Sequence, residues 1–330
     1  MIASSTESVV IDIGGTNARF GFVDRARRLS DVTVLKCADF EGVESAIEAY
    51  VRGKQYRLRT LSLAVACPID HDRIQCTNNH WGFSKRSLLE QLGLDRLRVV
   101  NDFTAQSIAA ATLSADNYQI LQHGVRPSGA AVLVIGPGTG LGVGGVVSDD
   151  NGTLIPIVSE GGHVTLSGQT ARELMVIEYL ARTLGHVSAE RCVSGPGLIR
   201  IYEALCEIDG ADMIADSPQG LMNNFSDDPR ARETLDIFAA FLGTVASDAC
   251  LTLGARGGVV IAGGVIPKLD KNFPYKVFLD RFCSKGRFSD YLSDVEVKVM
   301  LNTEAALTGL ANLHRIRGMD RYETIRQSGL

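Results

Sequence analysis

The segment Val9–Arg19, which reads VVIDIGGTNAR, constrains the fold of this chain more than any other. Val9–Ile13 is a short, β-branched apolar run, typical of a buried strand, and the Gly-Gly pair after it signals a tight turn. A second β-like run, Arg19–Val23, follows directly. Glycines let backbone N–H groups approach a ligand closely, and successive N–H groups in a turn bind anions such as phosphate. The pattern therefore predicts a phosphate-binding hairpin with one carboxylate, Asp12, at its mouth.

A similar order of elements returns further along the chain. Ala131–Ile135 is a second apolar run, followed by the turn Gly136–Gly140 and by another apolar run from Leu141. In a third piece, Gly258–Pro267, a buried strand runs into a Gly-Gly turn. Taken alone, the first hairpin is equally well an ordinary β-hairpin with a buried Asp. Together, the three stretches resemble the first phosphate, second phosphate and adenosine motifs of the superfamily of sugar kinases, heat-shock ATPases and actin.

This resemblance implies an α/β protein with the duplicated, ribonuclease H-like (actin-like ATPase) fold, in two domains with an interdomain cleft. We expect a small α/β domain from residues 1–111 plus 302–330, and a large α/β domain from residues 112–301. Apolar periodicity and capping residues predict helices over Val43–Val51, Ser84–Leu92 with Ser84 as N-cap, Phe103–Leu113, Ala171–Leu184, Gly197–Glu207, Pro229–Leu253 and Thr303–Leu313. The residues after Leu313 are polar and charged, which predicts a mobile tail.

Composition limits the classes of partner. The net charge is −5 at pH 7, with acidic and basic residues mixed along the chain, which disfavours nucleic-acid and membrane-surface partners. The seven cysteines are scattered and form no Cys-x-x-Cys pair, as in proteins of a reducing compartment. The most membrane-like stretch, Ile237–Ala255, contains Asp248 and fits a buried helix better than a membrane span, and Met1–Ser8 lacks the features of a signal peptide. We therefore expect a cytoplasmic protein with small-molecule partners.

Three polar clusters can carry chemistry. Asn101 and Asp102 follow a predicted strand, where ligands bind in open α/β sheets, and the carboxylate can accept a proton from a hydroxyl that attacks a phosphoryl group. Taken on its own, the position of Asp102 favours a helix cap over a catalytic role. Glu160 and His163 flank a Gly-Gly pair and can bind sugar hydroxyls, although a turn with a surface histidine has the same pattern. Glu190 is either a further hydroxyl acceptor or a charge at a helix end.

A longer set of motifs occurs in one order along nearly the whole chain. The motifs are DIGGTNAR at 12–19, ACP at 66–68, TN at 77–78, NDFTA at 101–105, GTGLG at 138–142, EGGH at 160–163, VSAER at 187–191, SGPG at 194–197 and AGG at 262–264. This combination resembles the bacterial glucokinase family. The resemblance implies ATP-dependent phosphorylation of glucose at its 6-hydroxyl, with Mg²⁺ bound to the ATP phosphates, and it suggests a homodimer.

Position by position, the resemblance implies that Asp102 is the catalytic base. It implies a sugar site formed by Asn78, Asn101, Asp102, Gly138, Glu160, His163 and Glu190. It implies an ATP site formed by Asp12, Gly14, Gly15, Thr16, Asn17, Gly138, Thr139, Gly140, Gly263 and Gly264. Asp12 is expected near the Mg²⁺ ion, through a water molecule. No zinc site is expected, because no cysteine occurs between His163 and Cys192.

Other classes of protein fit the sequence less well or stay open as alternatives. Gly140–Gly145 matches the Gly-x-Gly-x-x-Gly motif of dinucleotide-binding enzymes, but that motif must open a helix, whereas Val146 and Val147 followed by a turn predict a strand and hairpin. The absence of a Gly-x-x-x-x-Gly-Lys-Ser/Thr motif disfavours a P-loop enzyme. A kinase for another hexose, a hexokinase of broad specificity and a sugar sensor without catalysis stay open on the same scaffold.

Overall fold

The computed structural model describes residues 7–54, 58–223 and 228–325. Most of the N-terminal segment Met1–Ser8 and the last residues of the predicted tail lie outside them. The strands are β1 (Ser8–Ile13), β2 (Asn17–Val23), β3 (Leu29–Lys36), β4 (Thr60–Val65), β5 (Arg73–Gln75), β6 (Gly82–Ser84), β7 (Arg96–Asn101), β8 (Tyr118–Gln122), β9 (Val132–Pro137), β10 (Leu141–Ser148), β11 (Leu154–Ile157), β12 (Gly258–Ile261), β13 (Val297–Met300) and β14 (Glu323–Ile325). The α-helices are α1 (Val43–Val51), α2 (Lys85–Gln91), α3 (Asp102–Thr112), α4 (Ala171–Leu184), α5 (Ala189–Cys192), α6 (Gly195–Asp209), α7 (Pro218–Asn223), α8 (Pro229–Leu253), α9 (Val265–Leu269), α10 (Tyr275–Cys283), α11 (Ser289–Ser293) and α12 (Ala305–Ala311).

The first of two compact units comprises Met1–Leu113, Ser148–Pro156 and Thr303–Leu330. Its sheet has six strands in the order β14-β7-β4-β1-β2-β3. Strands β1, β4 and β7 run parallel to one another, whereas β2 and β3 continue from β1 as an antiparallel meander. The antiparallel pairing of β1 with β2 confirms the hairpin predicted at the Gly-Gly turn.

The helices of the first unit are positioned by local caps and by close packing. The helix predicted over Ser84–Leu92 is confirmed as α2, and Ser84 caps it by accepting a hydrogen bond from the N–H of Ser87 at 3.1 Å. Helices α3 and α12 pack on each other so closely that a Cβ atom on Gly309 would clash with the carbonyl oxygen of Ala105. Because β7 leads directly into α3, strand pairing places the first turn of α3 at the edge of the sheet.

The predicted mobile tail is wrong for the described residues after Leu313. Strand β14 pairs antiparallel with β7 and forms the outer strand of the sheet. Glu323 in β14 lies 2.9 Å from Nε of Arg98 and 3.0 Å from Nε of Arg96, both in β7. The side chains of Arg98 and Glu323 are only 11% and 12% exposed, so cross-strand charge pairing stabilises a segment whose composition is that of a solvated tail.

The second unit comprises Ser114–Val147 and Ile157–Asn302. Its strands follow the order β10-β9-β12-β13-β8, with β9, β12 and β13 parallel and β10 antiparallel to β9. The β9–β10 pair confirms the second predicted glycine hairpin. The stretch Gly140–Gly145 lies in the turn and in β10 and opens no helix, as the sequence predicts.

The long helix α8 has the predicted bounds, Pro229–Leu253. By length and composition it is apolar enough to cross a membrane, but 78% of its most apolar window is buried within the protein. Phe238 and Phe241 are fully buried, and helices α6 and α10 pack against it. Helix α8 is therefore a core helix of the second unit, and its apolar composition follows from that position.

Candidate active site

The carboxyl ends of three parallel strands meet at one edge of the first unit's sheet. Ile13 in β1 lies beside Val65 in β4, and Val65 lies beside Asn101 in β7. Neighbouring strands are about 4.8 Å apart, so the ends of β1 and β7 are separated by about 10 Å, with β4 between them. Asp12 near the end of β1 and Asp102 directly after β7 therefore share this edge, where ligands bind in open α/β sheets.

Asp12 is a nearly buried carboxylate in contact with a guanidinium group. Its Oδ2 lies 3.3 Å from Nη1 of Arg19, the residue paired with it across the hairpin, and its side chain is 15% exposed. Burial raises the pKa of Asp12 above its usual value, and the charge of Arg19 offsets this effect only in part. A cation brought in with a ligand would favour the ionised carboxylate further. Asp12 thus suits a Mg²⁺ ion that arrives with phosphates, since Mg²⁺ is held in proteins by one or two carboxylates plus substrate phosphates.

A complete metal cage made by protein side chains is a different kind of site. Within residues 7–54, 58–223 and 228–325, no group of three or more His, Cys, Asp or Glu side chains is arranged to hold a metal ion. This agrees with the chemistry at Asp12, where a phosphate ligand would have to supply most of the oxygen atoms around the cation.

The start of α3 shows how Asp102 is held. Asn101 is the N-cap of α3, and its Oδ1 accepts a hydrogen bond from the N–H of Phe103 at 2.9 Å. Oδ1 of Asp102 accepts from the same N–H at 2.9 Å. Asp102 is half-buried, and its charge acts on the thiol of Cys67. A hydrogen bond from Cys76 lowers the pKa of that thiol, whereas the negative charge of Asp102 raises it. The two interpretations of Asp102, cap and base, are therefore compatible, because fixing one carboxylate oxygen at the helix start orients the other.

The first glycine turn touches the loop that carries a predicted sugar residue. The N–H of Gly14 donates to the carbonyl oxygen of Asn17 at 3.0 Å and closes the turn, with Thr16 exposed at its tip. A Cβ atom on Gly15 would lie 3.0 Å from Cβ and 3.1 Å from the carbonyl oxygen of Asn78. The side chain of Asn78 is exposed. The predicted phosphate turn and this predicted sugar residue are thus neighbours in the first unit.

In the second unit, Glu190 lies against the turn between β9 and β10. Its Oε2 accepts a hydrogen bond from the N–H of Leu141 at 2.9 Å, and a Cβ atom on Gly140 would clash with the same oxygen. The N–H of Gly138 donates to the carbonyl oxygen of Gly140 at 2.8 Å, and Thr139 is exposed at the tip of the turn. The predicted sugar residue Glu190 and the second predicted phosphate turn are therefore in direct contact.

The loop that carries Glu160 and His163 is held against the same strand, β10. It forms a turn of 3-10 helix over Gly161–His163, and a Cβ atom on Gly162 would clash with the carbonyl oxygen of Leu141. Nε2 of His163 lies 3.8 Å from Oε2 of Glu160, and the two side chains are 60% and 75% exposed. Backbone packing thus fixes the loop while both polar side chains stay accessible to a ligand.

A backbone hydrogen bond links this loop to the segment that precedes Glu190. The N–H of Ala189 donates to the carbonyl oxygen of Val164 at 2.9 Å. Since His163 directly precedes Val164 and Glu190 directly follows Ala189, the two predicted sugar-binding residues are brought to the same part of the second unit.

The predicted adenosine residues follow β12. Ile261 at the end of β12 is paired with Ile135 in β9, so the turn after β12 lies next to the end of β9. Gly263 has a φ of +81°, and a Cβ atom there would clash with the carbonyl oxygen of Pro137, so both its conformation and its packing require glycine. Gly264 directly precedes α9. The predicted adenosine and second phosphate segments therefore lie side by side at the carboxyl edge of this sheet.

One residue of the first unit, Asn79, is part of this geometry but was not predicted from the sequence. Its side chain joins Gly14 in the glycine turn to Trp81 in the following loop. Two adjacent asparagines, Asn78 and Asn79, carry no signal in the sequence that tells which one faces a ligand and which one connects the two segments.

Comparison with known proteins gives consistent matches. The family model described as Glucokinase matches residues 9–316. The chain is 40% identical over 314 residues to a glucokinase of Helicobacter acinonychis (strain Sheeba), covering 92% of this chain and 94% of that protein. It matches the crystal structure of a glucokinase from an Antarctic psychrotroph with a TM-score of 0.82 at 30% identity, covering 93% of this chain and 98% of that one. A ROK family glucokinase from Streptomyces griseus, solved in complex with glucose and AMPPNP, matches with a TM-score of 0.61 at 19% identity, covering 93% and 99% of the two chains. These structures confirm the predicted α/β fold of the actin-like ATPase type.

Proposed function

The chain belongs to the glucokinase family and phosphorylates glucose with ATP, and within this activity we propose that Asp102 is the general base. The observation that supports the assignment is the position of Asp102, half-buried and oriented by the start of α3 at the carboxyl edge of the first sheet. A carboxylate placed there can accept the proton of a hydroxyl that attacks a phosphoryl group.

Seven residues are proposed as the groups that bind glucose. They are Asn78, Asn101, Asp102, Gly138, Glu160, His163 and Glu190. Since Oδ1 of Asn101 already accepts the N–H of Phe103, its amide offers Nδ2 as a donor to a sugar oxygen. Oε2 of Glu190 accepts the N–H of Leu141, so we assign the sugar hydroxyl to its other oxygen. Glu160 can accept two neighbouring hydroxyls, and His163 can donate or accept.

ATP is the phosphoryl donor, and we assign its contacts to the two glycine turns and to the segment after β12. The proposed residues are Gly14, Gly15, Thr16 and Asn17, then Gly138, Thr139 and Gly140, then Gly263 and Gly264 near adenosine. The Mg²⁺ of the MgATP substrate is proposed near Asp12 through a water molecule, where it would offset phosphate charge. Backbone N–H groups of the turns stabilise the charge on the phosphates.

The reaction follows from these positions. Asp102 orients the 6-hydroxyl of glucose and takes its proton as the oxygen bonds to the γ-phosphorus, while the bond from that phosphorus to the bridging oxygen of ADP breaks. Because the transition state of phosphoryl transfer is loose, positioning and charge stabilisation supply most of the rate. Exclusion of water from the bound substrates prevents hydrolysis of ATP.

The family resemblance also supports a homodimer in the cytoplasm, without membrane or nucleic-acid partners. The net charge of −5, with both signs mixed along the chain, supports the absence of a nucleic-acid partner. Light scattering on the purified protein tests the homodimer, because a monomeric mass would contradict it.

Glucose should be the preferred acceptor when ADP release from MgATP is measured with glucose, fructose, mannose, galactose and N-acetylglucosamine in turn. A site that hydrogen-bonds a hydroxyl rejects an analogue lacking it by about 10⁴-fold, because the polar groups of the site stay unpaired. Epimers such as mannose and galactose move a hydroxyl away from its partner, so they should be rejected for the same reason. Similar rates with several hexoses would contradict strict specificity and indicate a broad hexokinase. Glucose binding without turnover on any sugar would indicate a sensor.

Replacing Glu160 by glutamine should weaken glucose binding and change kcat much less. A hydrogen bond to a charged acceptor is worth about 1.5–3 kcal/mol, so we expect a rise in the Kd for glucose of about 10- to 100-fold, measured by calorimetry. Glu178→Gln is the matched control, because Glu178 is 70% exposed and pairs with Arg182 on its own helix. Equal affinity in the two variants would remove Glu160 from the sugar site.

A further inference from the structure

We propose that Asn79 is a positioning residue that holds the first glycine turn to the loop carrying Asn78, so that the ATP-phosphate turn and a sugar-binding residue keep one fixed relation. The proposal rests on the proposed function, because it assigns a task to a residue that connects two of the proposed binding segments.

The side chain of Asn79 bridges the two segments with both ends of its amide. Its Nδ2 donates to the carbonyl oxygen of Gly14 at 2.8 Å, and its Oδ1 accepts from the N–H of Trp81 at 2.8 Å. The reverse orientation would place oxygen against oxygen and N–H against N–H, so the network determines which way the amide points. An aspartate could keep the bond from Trp81 but has no donor for Gly14.

The loop end of this bridge is anchored in the core of the first unit. Trp81 is fully buried, and its Nε1 donates to the carbonyl oxygen of Phe40 at 3.3 Å. The carbonyl oxygen of Trp81 accepts from the N–H of Cys76 at 2.9 Å. Trp81 is held in place by packing and by these hydrogen bonds. Because Asn79 bonds to both Trp81 and Gly14, it fixes the position of the glycine turn relative to Trp81.

The glycine turn is held from a second side as well. The N–H of Cys37 donates to the carbonyl oxygen of Thr16 at 2.9 Å. Between the two attachments, Gly15 packs on the backbone of Asn78 at a distance that admits no larger side chain without a shift. Movement of the turn relative to Asn78 therefore requires that the bond between Asn79 and Gly14 break.

Loss of this bridge should weaken ATP binding, although Asn79 belongs to the loop that carries the proposed sugar-binding residue Asn78. For Asn79→Ala we expect the KM for ATP, and the Kd for a non-hydrolysable ATP analogue, to rise about 3- to 10-fold, the factor expected for one neutral hydrogen bond. Asn79→Asp keeps the acceptor for Trp81 and therefore the loop, but it places a carboxylate beside the phosphates, so its rise should be larger. The Kd for glucose measured without nucleotide should change less in both variants.

The control is His80→Ala, because His80 lies in the same loop and contacts the carbonyl oxygen of Phe40 at 2.9 Å. A purely structural role for Asn79 would lower the active fraction and hence kcat, with KM unchanged. An ATP KM and analogue Kd within about 2-fold of wild type and His80→Ala in both Asn79 variants would overturn the proposal. If the wild-type chain shows no glucose-dependent turnover, the proposed function fails by itself, and the analogue Kd still decides the role of Asn79.

Discussion

Replacing Asp102 by asparagine should lower kcat by about 10²- to 10⁴-fold, the range for loss of a general base, with a modest change in the affinity for glucose. Asparagine keeps an Oδ1 that can accept the N–H of Phe103, so the start of α3 stays capped. It cannot take the proton of the 6-hydroxyl. Single-turnover kinetics, with enzyme and glucose in excess over a limiting amount of MgATP, measure the chemical step directly.

The control for this variant lies at the other end of the same strand. Asp95 precedes β7, is exposed and pairs with Arg59 at 2.7 Å, whereas Asp102 follows β7. Asp95→Asn should therefore keep the wild-type rate. Turnover of Asp102→Asn close to that of the control, in folded protein, would contradict the assignment of Asp102 as base. A large loss in Asp102→Ala but not in Asp102→Asn would show that the residue acts as a cap only.

The second large effect concerns the stability of the second unit. Glu173 in α4 binds Arg281 in α10 through two hydrogen bonds of 2.6 and 3.0 Å, and the two side chains are only 4% and 12% exposed. Glu173→Ala leaves the Arg281 charge buried without its carboxylate, which typically costs about 3–5 kcal/mol of unfolding free energy. Circular dichroism in urea should follow this loss. Trp81 is the single tryptophan and belongs to the first unit, so its fluorescence reports on that unit.

A matched control separates the buried pair from helix effects. Glu178 lies in the same helix and pairs with Arg182 at 3.1 Å, with both side chains about 70% exposed, so Glu178→Ala should cost at most about 1 kcal/mol. Similar midpoints in the two variants would show that the pair between Glu173 and Arg281 adds little.

The same pair should make stability depend on acid pH. Burial by itself raises the pKa of Glu173, but hydrogen bonds from Arg281 and from the N–H of Gln169, with the Arg281 charge, outweigh burial and lower it. The ionised pair therefore stabilises the folded state fully above the ordinary carboxyl pKa, and the contribution is lost as pH falls through the lowered value. The difference in stability between wild type and Glu173→Ala should accordingly shrink on acidification.

Local signals in the sequence were sufficient for much of the fold. The helices Val43–Val51, Ala171–Leu184 and Pro229–Leu253 have the predicted bounds, because apolar periodicity and capping residues act over one or two turns. The two glycine hairpins were equally local, since each turn joins strands that are adjacent in the chain. Strand β14 was missed, because its stability comes from Arg96 and Arg98, more than two hundred residues away.

The candidate site was predictable as a set of residues but not as an arrangement. Short motifs were sufficient to select Asp102 and Glu160 as candidates. The roles of these two residues stay predictions. The contact of Glu190 with the turn at Gly140, and the bridge made by Asn79, depend on pairing between distant segments. No periodicity in the sequence reports such pairing, because it is decided by the order of strands and by close packing of backbone on backbone.

Two of the three segments of the first unit flank the second unit in the chain, and this order has a consequence for biosynthesis. Strand β14 and helix α12 belong to the first unit, yet a ribosome makes them after Asn302, the last residue of the second unit. The second unit is thus fully synthesised before the first unit is complete, although β7 is made before the second unit. During this interval the nascent sheet presents an unpaired β7 edge, and unpaired edges of this kind are where chains associate wrongly. Strand β14, which is made after the second unit, therefore also protects an edge that is made before it.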